Sequence, residues 1–245
     1  MKKIPIIVLL YGICTITMFS QKSYVVDTIN TNNDLSQYNS GEWYTHRRTM
    51  GGLEGTGFVF ENFMNGKILV NDSTLSEETY VMNVDAYTNE VKYMKEGKEY
   101  TIYNTNKFAK YTGVLMTDSL HQRYLFKRIK LSSKNDDLTL AEVLHQGKKY
   151  TLYKHIDKRL HKADLTDRGI ITTGKSVNSF DEYDDYYIKV RTQTLQKISL
   201  RRNSFFELVQ ASKIPQLENH CKENKIGKNL TDEQAVQLIR IIETL

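Results

Sequence analysis

The sequence is poor in the residues that staple or break a chain: two Cys, two Pro and one Trp among 245 residues. Cys14 lies in an N-terminal apolar run and Cys221 near the other end, so a chain that loses its leader keeps one thiol. No internal disulfide can then form, and burial has to carry stability. With Pro5 in the same leader, Pro215 is the one proline left to interrupt an element of the body. A membrane-length apolar run is missing too. Ile4 to Phe19 covers 16 residues broken by Gly12, Thr15 and Thr17, whereas a span needs about 20. Charge of one sign is also scarce, since 34 Lys and Arg stand against 29 Asp and Glu, and so small an excess selects no partner.

What the N-terminus does have is a positive start, Met1 to Lys3, then the short apolar run, then Ser20 before Gln21. That pattern predicts a secretory signal peptide over residues 1–20 and a mature start near Gln21. Lipid attachment at Cys14 is not expected, because Ile13 precedes it where a small residue is needed. Removing the leader takes Lys2 and Lys3 and no acid, lowering the formal charge from +5 to +3. The expected location is the periplasm or the periphery of the outer membrane, with no membrane span in the mature chain. Residues 21–40 read as a polar, flexible lead-in, 41–200 as a β domain and 201–245 as helices packed on or beside it.

Sixteen Tyr and nine Phe, with many Val, Ile and Thr, favour strands. "MKEGKEYTIY" (Met94 to Tyr103) and "LHQGKKYTLY" (Leu144 to Tyr153) each place a Gly between alternating runs, the pattern of a β-hairpin whose glycine accepts a positive φ. Further strands are predicted at Gly57–Phe63, Gly66–Asp72, Glu77–Val84, Arg123–Ile129, Tyr186–Val190 and Leu195–Leu200, the last two forming a third hairpin around "RTQT". After Leu200 the period becomes helical: Phe205, Leu208 and Val209, then Ile214, Leu217 and Cys221, with a break near Ser212 and a stop at Gly227. Thr231 and Gln234 form a capping box ahead of a helix striped by Ala235, Leu238, Ile239 and Ile242. Strands first and helices last predict an α+β chain: a mainly antiparallel sheet, a meander of hairpins, flat or curved, followed by two to three short helices.

"GIITTGKS" (Gly169 to Ser176) matches the phosphate-binding pattern G-x-x-x-x-G-K-[ST]. Such a loop needs an apolar strand before it and a helix after it. Here "HKADLTDR" precedes and a strand follows, so no nucleotide is expected and Lys175 reads as an exposed loop residue. The acidic run "DEYDDYY" (Asp181 to Tyr187) lacks the spacing and glycine of a calcium loop and reads as a solvated strand entrance. His46, His121, His145, His155, His161 and His220 are dispersed, with no zinc spacing among them. Cys221 sits at core spacing on a helix and reads as a buried hydrophobe. "HQRYLFKRIK" (His121 to Lys130) mixes basic and aromatic residues, which strand alternation explains without nucleic acid, and "GGLEGTG" (Gly51 to Gly57) reads as a turn. Carboxylates such as Glu42 with Glu54, or Glu61 with Glu90, could be paired by folding. No catalytic, cofactor-binding or metal-binding residue is assigned.

"GTGFVFENFMNGKI" (Gly55 to Ile68), "VDAYTNEVKY" (Val84 to Tyr93), "HQGKKYTLYK" (His145 to Lys154), "DDYYIKV" and the closing Glu218–Leu245 resemble, in that order, a family of secreted proteins of unknown function. The family is common in the Gram-negative phylum of gliding and polysaccharide-degrading bacteria. Its pattern runs G-[ST]-P-Y-L, F-x-x-G-x-[IV], Y-[DN]-A-Y-x-[DN]-E-[IV] and short lysine-rich helices. Gly57 replaces its proline, and Val84 its usual Tyr or Asn. The resemblance implies an envelope location and a β-rich body, and brings no activity or cofactor. The expectation is therefore a non-enzymatic binding or assembly protein that offers aromatic strands to an envelope protein or glycan. The alternatives are a hydrolase of glycan or envelope material using dispersed acids such as Glu61, Asp85 and Glu90, and a carrier of an apolar ligand inside a curved sheet.

Overall fold

A computed structural model describes residues 35–38, 53–70, 72–102, 111–131, 137–164, 166–167, 172–173, 177–191 and 193–245. The expected signal peptide, Cys14 and most of the expected lead-in lie outside them. In chain order the strands are β1 (Leu35–Tyr38), β2 (Leu53–Glu54), β3 (Met64–Val70), β4 (Thr74–Leu75), β5 (Tyr80–Asp85), β6 (Glu90–Lys95), β7 (Lys98–Ile102), β8 (Tyr111–Thr117), β9 (Arg123–Lys130), β10 (Leu138–Gln146), β11 (Tyr150–His161), β12 (Thr166–Asp167), β13 (Thr172–Thr173), β14 (Asn178–Val190) and β15 (Gln196–Ile198). Three helices close the chain: α1 (Arg202–Phe206), α2 (Ile214–Glu223) and α3 (Asp232–Thr244). The α+β architecture with strands first and helices last is as expected.

Thirteen strands join one open sheet in the order β1-β7-β6-β5-β3-β8-β9-β10-β11-β14-β15, with β4 on β3 and β2 on β14. Two features differ from an antiparallel meander. β2 lies parallel to the start of β14, Leu53 opposite Asn178 and Glu54 opposite Ser179, which makes the sheet mixed. And β3 sits between β5 and β8, so the chain returns to an earlier strand instead of stepping outward. Leu35–Tyr38, inside the stretch read as lead-in, pairs along β7 from Leu35 opposite Ile102 to Tyr38 opposite Glu99.

The hairpins follow the glycine signals, for different reasons at the two sites. Between β6 and β7, Glu96 and Gly97 both have positive φ, 52° and 75°, the two-residue turn whose twist matches paired strands. At the β10–β11 turn Gly147 is not among the positive-φ glycines. A Cβ there would run into the carboxylate of Glu243 from α3, so glycine serves a close approach instead. The strand predicted at Gly57–Phe63 is reduced to a bridge between Phe58 and Asp85. The buried Asn83 explains why: its amide donates to the carbonyls of Phe60 at 2.8 Å and Asn62 at 3.4 Å, holding the segment as a bulge beside β5. Strand β8 is not among the predicted strands: Gly113 interrupts its pattern, yet a Cβ at Gly113 would strike the backbone oxygen of Phe126 on β9.

Two apolar clusters result. Met82, Val91, Val114, Met116 and Phe126, none more than 1 % exposed, form the centre of one in the first half of the sheet. Phe60 packs on it, 4.8 Å from the Tyr124 ring. The other joins Tyr150, Leu152 and Ile188 of β11 and β14 to Phe205, Leu217, Cys221, Leu238 and Ile239 of the helices. Burial of those side chains, each worth about 1.5–3 kcal/mol, fixes the helices on the sheet. The capping box at Thr231 and Gln234 forms as expected. Helix α2 does not run to Gly227. It ends at Glu223, where Lys225 takes the left-handed conformation at φ 54°. Ile226 N–H then reaches Cys221 O at 2.8 Å and Lys225 N–H reaches Lys222 O at 3.2 Å, a Schellman stop made with lysine.

Candidate functional site

Strand pairing sets a polar row across the face that α3 covers. Glu142 on β10 stands opposite Lys154 on β11, which stands opposite Tyr186 on β14. The N-terminus of α3 docks there. Lys154 Nζ lies 2.9 Å from Asp184 and 3.2 Å from Asp232, and the Tyr186 hydroxyl donates to Asp232 at 2.8 Å. Burial alone would pull the Lys154 ammonium down, but the hydrogen bond and charge of Asp184, backed by Asp232, hold it above the ordinary lysine value. Burial pushes the Glu142 carboxyl up to about 7; Lys154 pulls it back, while Asp232 and Asp184 push the same way as burial. Asp232 also occupies the first turn of α3, where the helix dipole favours a carboxylate. Lys154 and Tyr186 are therefore bound to Asp232 at the start of α3, with Asp184 beside them.

A second device ties the far end of α3 to the sheet. Glu243 Oε1 accepts from the backbone N–H groups of Lys149 and Tyr150 at 2.8 and 2.9 Å, and Oε2 lies 3.3 Å from His145 Nε2. Burial would raise this carboxyl, and the two amides and His145 outweigh it, leaving it below its usual value. Nothing in the sequence marked this clamp, because its partners are more than ninety residues apart.

The residues weighed from sequence are scattered across the fold. Asp85 and Glu90 stand opposite one another at the β5–β6 turn. Asp85 Oδ1 accepts from the N–H groups of Tyr87 and Thr88, and Glu90 accepts from Thr88 and from Lys92 at 2.6 Å, so both hold the turn. Glu61 is exposed on the bulge, Glu54 is exposed on β2, and Glu42 lies outside the described residues. Of "GIITTGKS", only Thr172 and Thr173 are described, paired with Thr166 and Asp167. Gly169, Gly174, Lys175 and Ser176 lie outside, and the element that follows is strand β14 rather than a helix. The acidic run is no strand entrance but the middle of β14, where Glu182, Asp184 and Asp185 pair with Lys158, Lys154 and Lys197. No cluster of three metal-ligating side chains occurs among the described residues. Cys221 is buried, and burial raises its thiol. Among the described residues most Tyr and Phe are buried in or packed against the cores, and Tyr87 and Tyr183 are the most open to solvent.

Tyr153 and Lys189 leave β11 and β14 on the face opposite Lys154 and Tyr186, because neighbouring strand residues alternate. There a groove of about 920 Å³ is lined by residues 127–131 and Asp72 on one wall, Lys189 and residues 193–195 on the other, with Gln146 and Tyr153 between. Lys127 and Lys189 share this face, whereas Arg128 and Lys130 line the groove from the alternate positions of β9, on the face of Phe126; Asp72 is the one carboxylate among its described lining residues. Lys127 Nζ donates to the Gln146 amide at 3.3 Å. Arg128 is half-buried with its guanidinium 5.3 Å from the Tyr111 ring centre, and desolvation lowers its pKa. No single stretch of the sequence carries this groove. "HQRYLFKRIK" supplies one wall, but the matching Lys189 is some sixty positions away and only the fold unites them.

Compared with known protein families, curated proteins and solved structures, the chain matches none. No helix among the described residues is long and apolar enough to cross a membrane.

Proposed function

We propose that this is a non-enzymatic envelope protein, exported by its N-terminal signal, that binds another envelope component on the groove face of its sheet. The supporting observation is the division of charge between the two faces. On the α3 face Asp184, Asp232, Lys154 and Tyr186 are bound to one another where the helix docks, whereas the groove offers Lys127, Lys189 and hydrogen-bonding side chains around a single described carboxylate. Glycoside hydrolysis by paired acids needs two carboxyl groups roughly 5–10 Å apart around the bond, and the groove's described lining has one. The secreted family that the sequence resembles fits this reading in location and in its β-rich body.

Glu142 is the observation that favours a hydrolase, since a carboxyl near 7 suits a general acid. It lies across the sheet from the groove, and its neighbours are bound to each other. The test is incubation of the purified protein with envelope polysaccharides and peptidoglycan fragments, followed by mass spectrometry of the supernatant. Retention of a fragment on the protein with no new products is the expected result. Products that disappear with Glu142→Gln would establish the hydrolase instead.

A further inference from the structure

The lining of the groove narrows what it accepts, given the binding role proposed above. We infer that it holds an acidic oligosaccharide, a sugar chain bearing carboxylate groups, with Lys127 and Lys189 meeting its charges from opposite walls. The volume of about 920 Å³ is far larger than one ion needs, so the occupant is a molecule that carries its charge with it. Three lysines on the strands have carboxylates at hand: Lys92 has Glu90, Lys154 has Asp184 and Asp232, Lys158 has Glu182. Lys127 has the Gln146 amide, a neutral partner. Its charge and that of Lys189 face the groove, ready for an anion brought from outside.

The neutral lining separates a sugar from an acidic peptide. Gln146, Gln193 and Thr194 each present both donors and acceptors, which matches hydroxyl groups that do the same. Asp72 can only accept. A sugar hydroxyl can donate to it, whereas the ionised side chains of an acidic peptide have no hydrogen to give. Ile129, Leu131 and Leu195 add apolar surface suited to the C–H faces of sugar rings.

The probe is a fluorescently labelled galacturonate octamer titrated into the purified protein at low salt. Saturable binding is expected, weakening with added salt and falling roughly tenfold or more in Lys127→Gln/Lys189→Gln, which loses two charge-assisted contacts. Lys222→Gln/Lys228→Gln removes the same charge from exposed positions at and beyond α2 and should bind as the unaltered protein does. A neutral glucose octamer should bind at least about tenfold more weakly, having no charges to meet. Equal binding of a hexaglutamate peptide would overturn the ligand class. Octamer binding that ignores the groove pair, or no octamer binding, would overturn the site while leaving the wider binding role standing if another envelope component is retained intact. Shortening of the octamer during incubation would overturn the non-enzymatic reading itself.

Discussion

On the face of the sheet under α3, Lys154 sits between Asp184 and Asp232 and Tyr186 completes the set; across the same strands, Lys127 and Lys189 line a groove with Asp72 as its described carboxylate. The chemistry is similar and the placement differs. Charges that meet one another fasten a helix; Lys127 and Lys189, across the sheet, are the charges the proposed binding role would use. A cluster of perturbed groups is thus a poor guide to function here, because structural ion networks perturb pKa values too.

Leu238→Ala, in the fully buried stripe of α3, should destabilise by about 2–5 kcal/mol, lowering the urea midpoint. Lys154→Ala strands two partly buried carboxylates at the end of α3. Its expected cost is about 3 kcal/mol, reduced somewhat because Asp184 and Asp232 keep some solvent. A midpoint unchanged by this substitution would mean that the network does not fasten the helix.

Glu142 gives a pH signature. Its carboxyl is pushed up to about 7 in the folded chain against an ordinary value of 4.5, so the folded state keeps a proton that the unfolded state has lost. Stability from this group is full below about 4.5 and declines as pH rises to about 7, by on the order of 3 kcal/mol in all. Glu142→Gln should remove that part of the slope in denaturation curves taken across the window; an unaltered slope would place the titration elsewhere. Gly147→Ala should push Glu243 off the amides of Lys149 and Tyr150, costing about 1–2 kcal/mol, read as a lower thermal midpoint. The smallest effect belongs to the groove: Lys127→Gln/Lys189→Gln should change stability by less than about 0.5 kcal/mol, as exposed substitutions do.

Much of the local structure was legible in the sequence because its causes are local. The alternation around Gly97, the capping box at Thr231 and the stripe from Ala235 to Ile242 each lie within a few residues. What could not be read depends on distant partners. Gly113 breaks the pattern of β8 but fits beneath the Phe126 carbonyl, Asn83 turns a predicted strand into a bulge from twenty residues away, and Lys225 replaces the expected glycine stop. The groove is the extreme case, assembled from β9, β10, β11, β14 and two turns, with no residue pattern that announces it.

The central claim is that charge on the α3 face is structural and charge in the groove is for binding. Calorimetric titration of the galacturonate octamer into Glu142→Gln and into Lys127→Gln/Lys189→Gln, side by side, tests it most directly. The account predicts unaltered affinity for the first and a loss of roughly tenfold for the second; loss of binding in Glu142→Gln with none in the groove pair would contradict it.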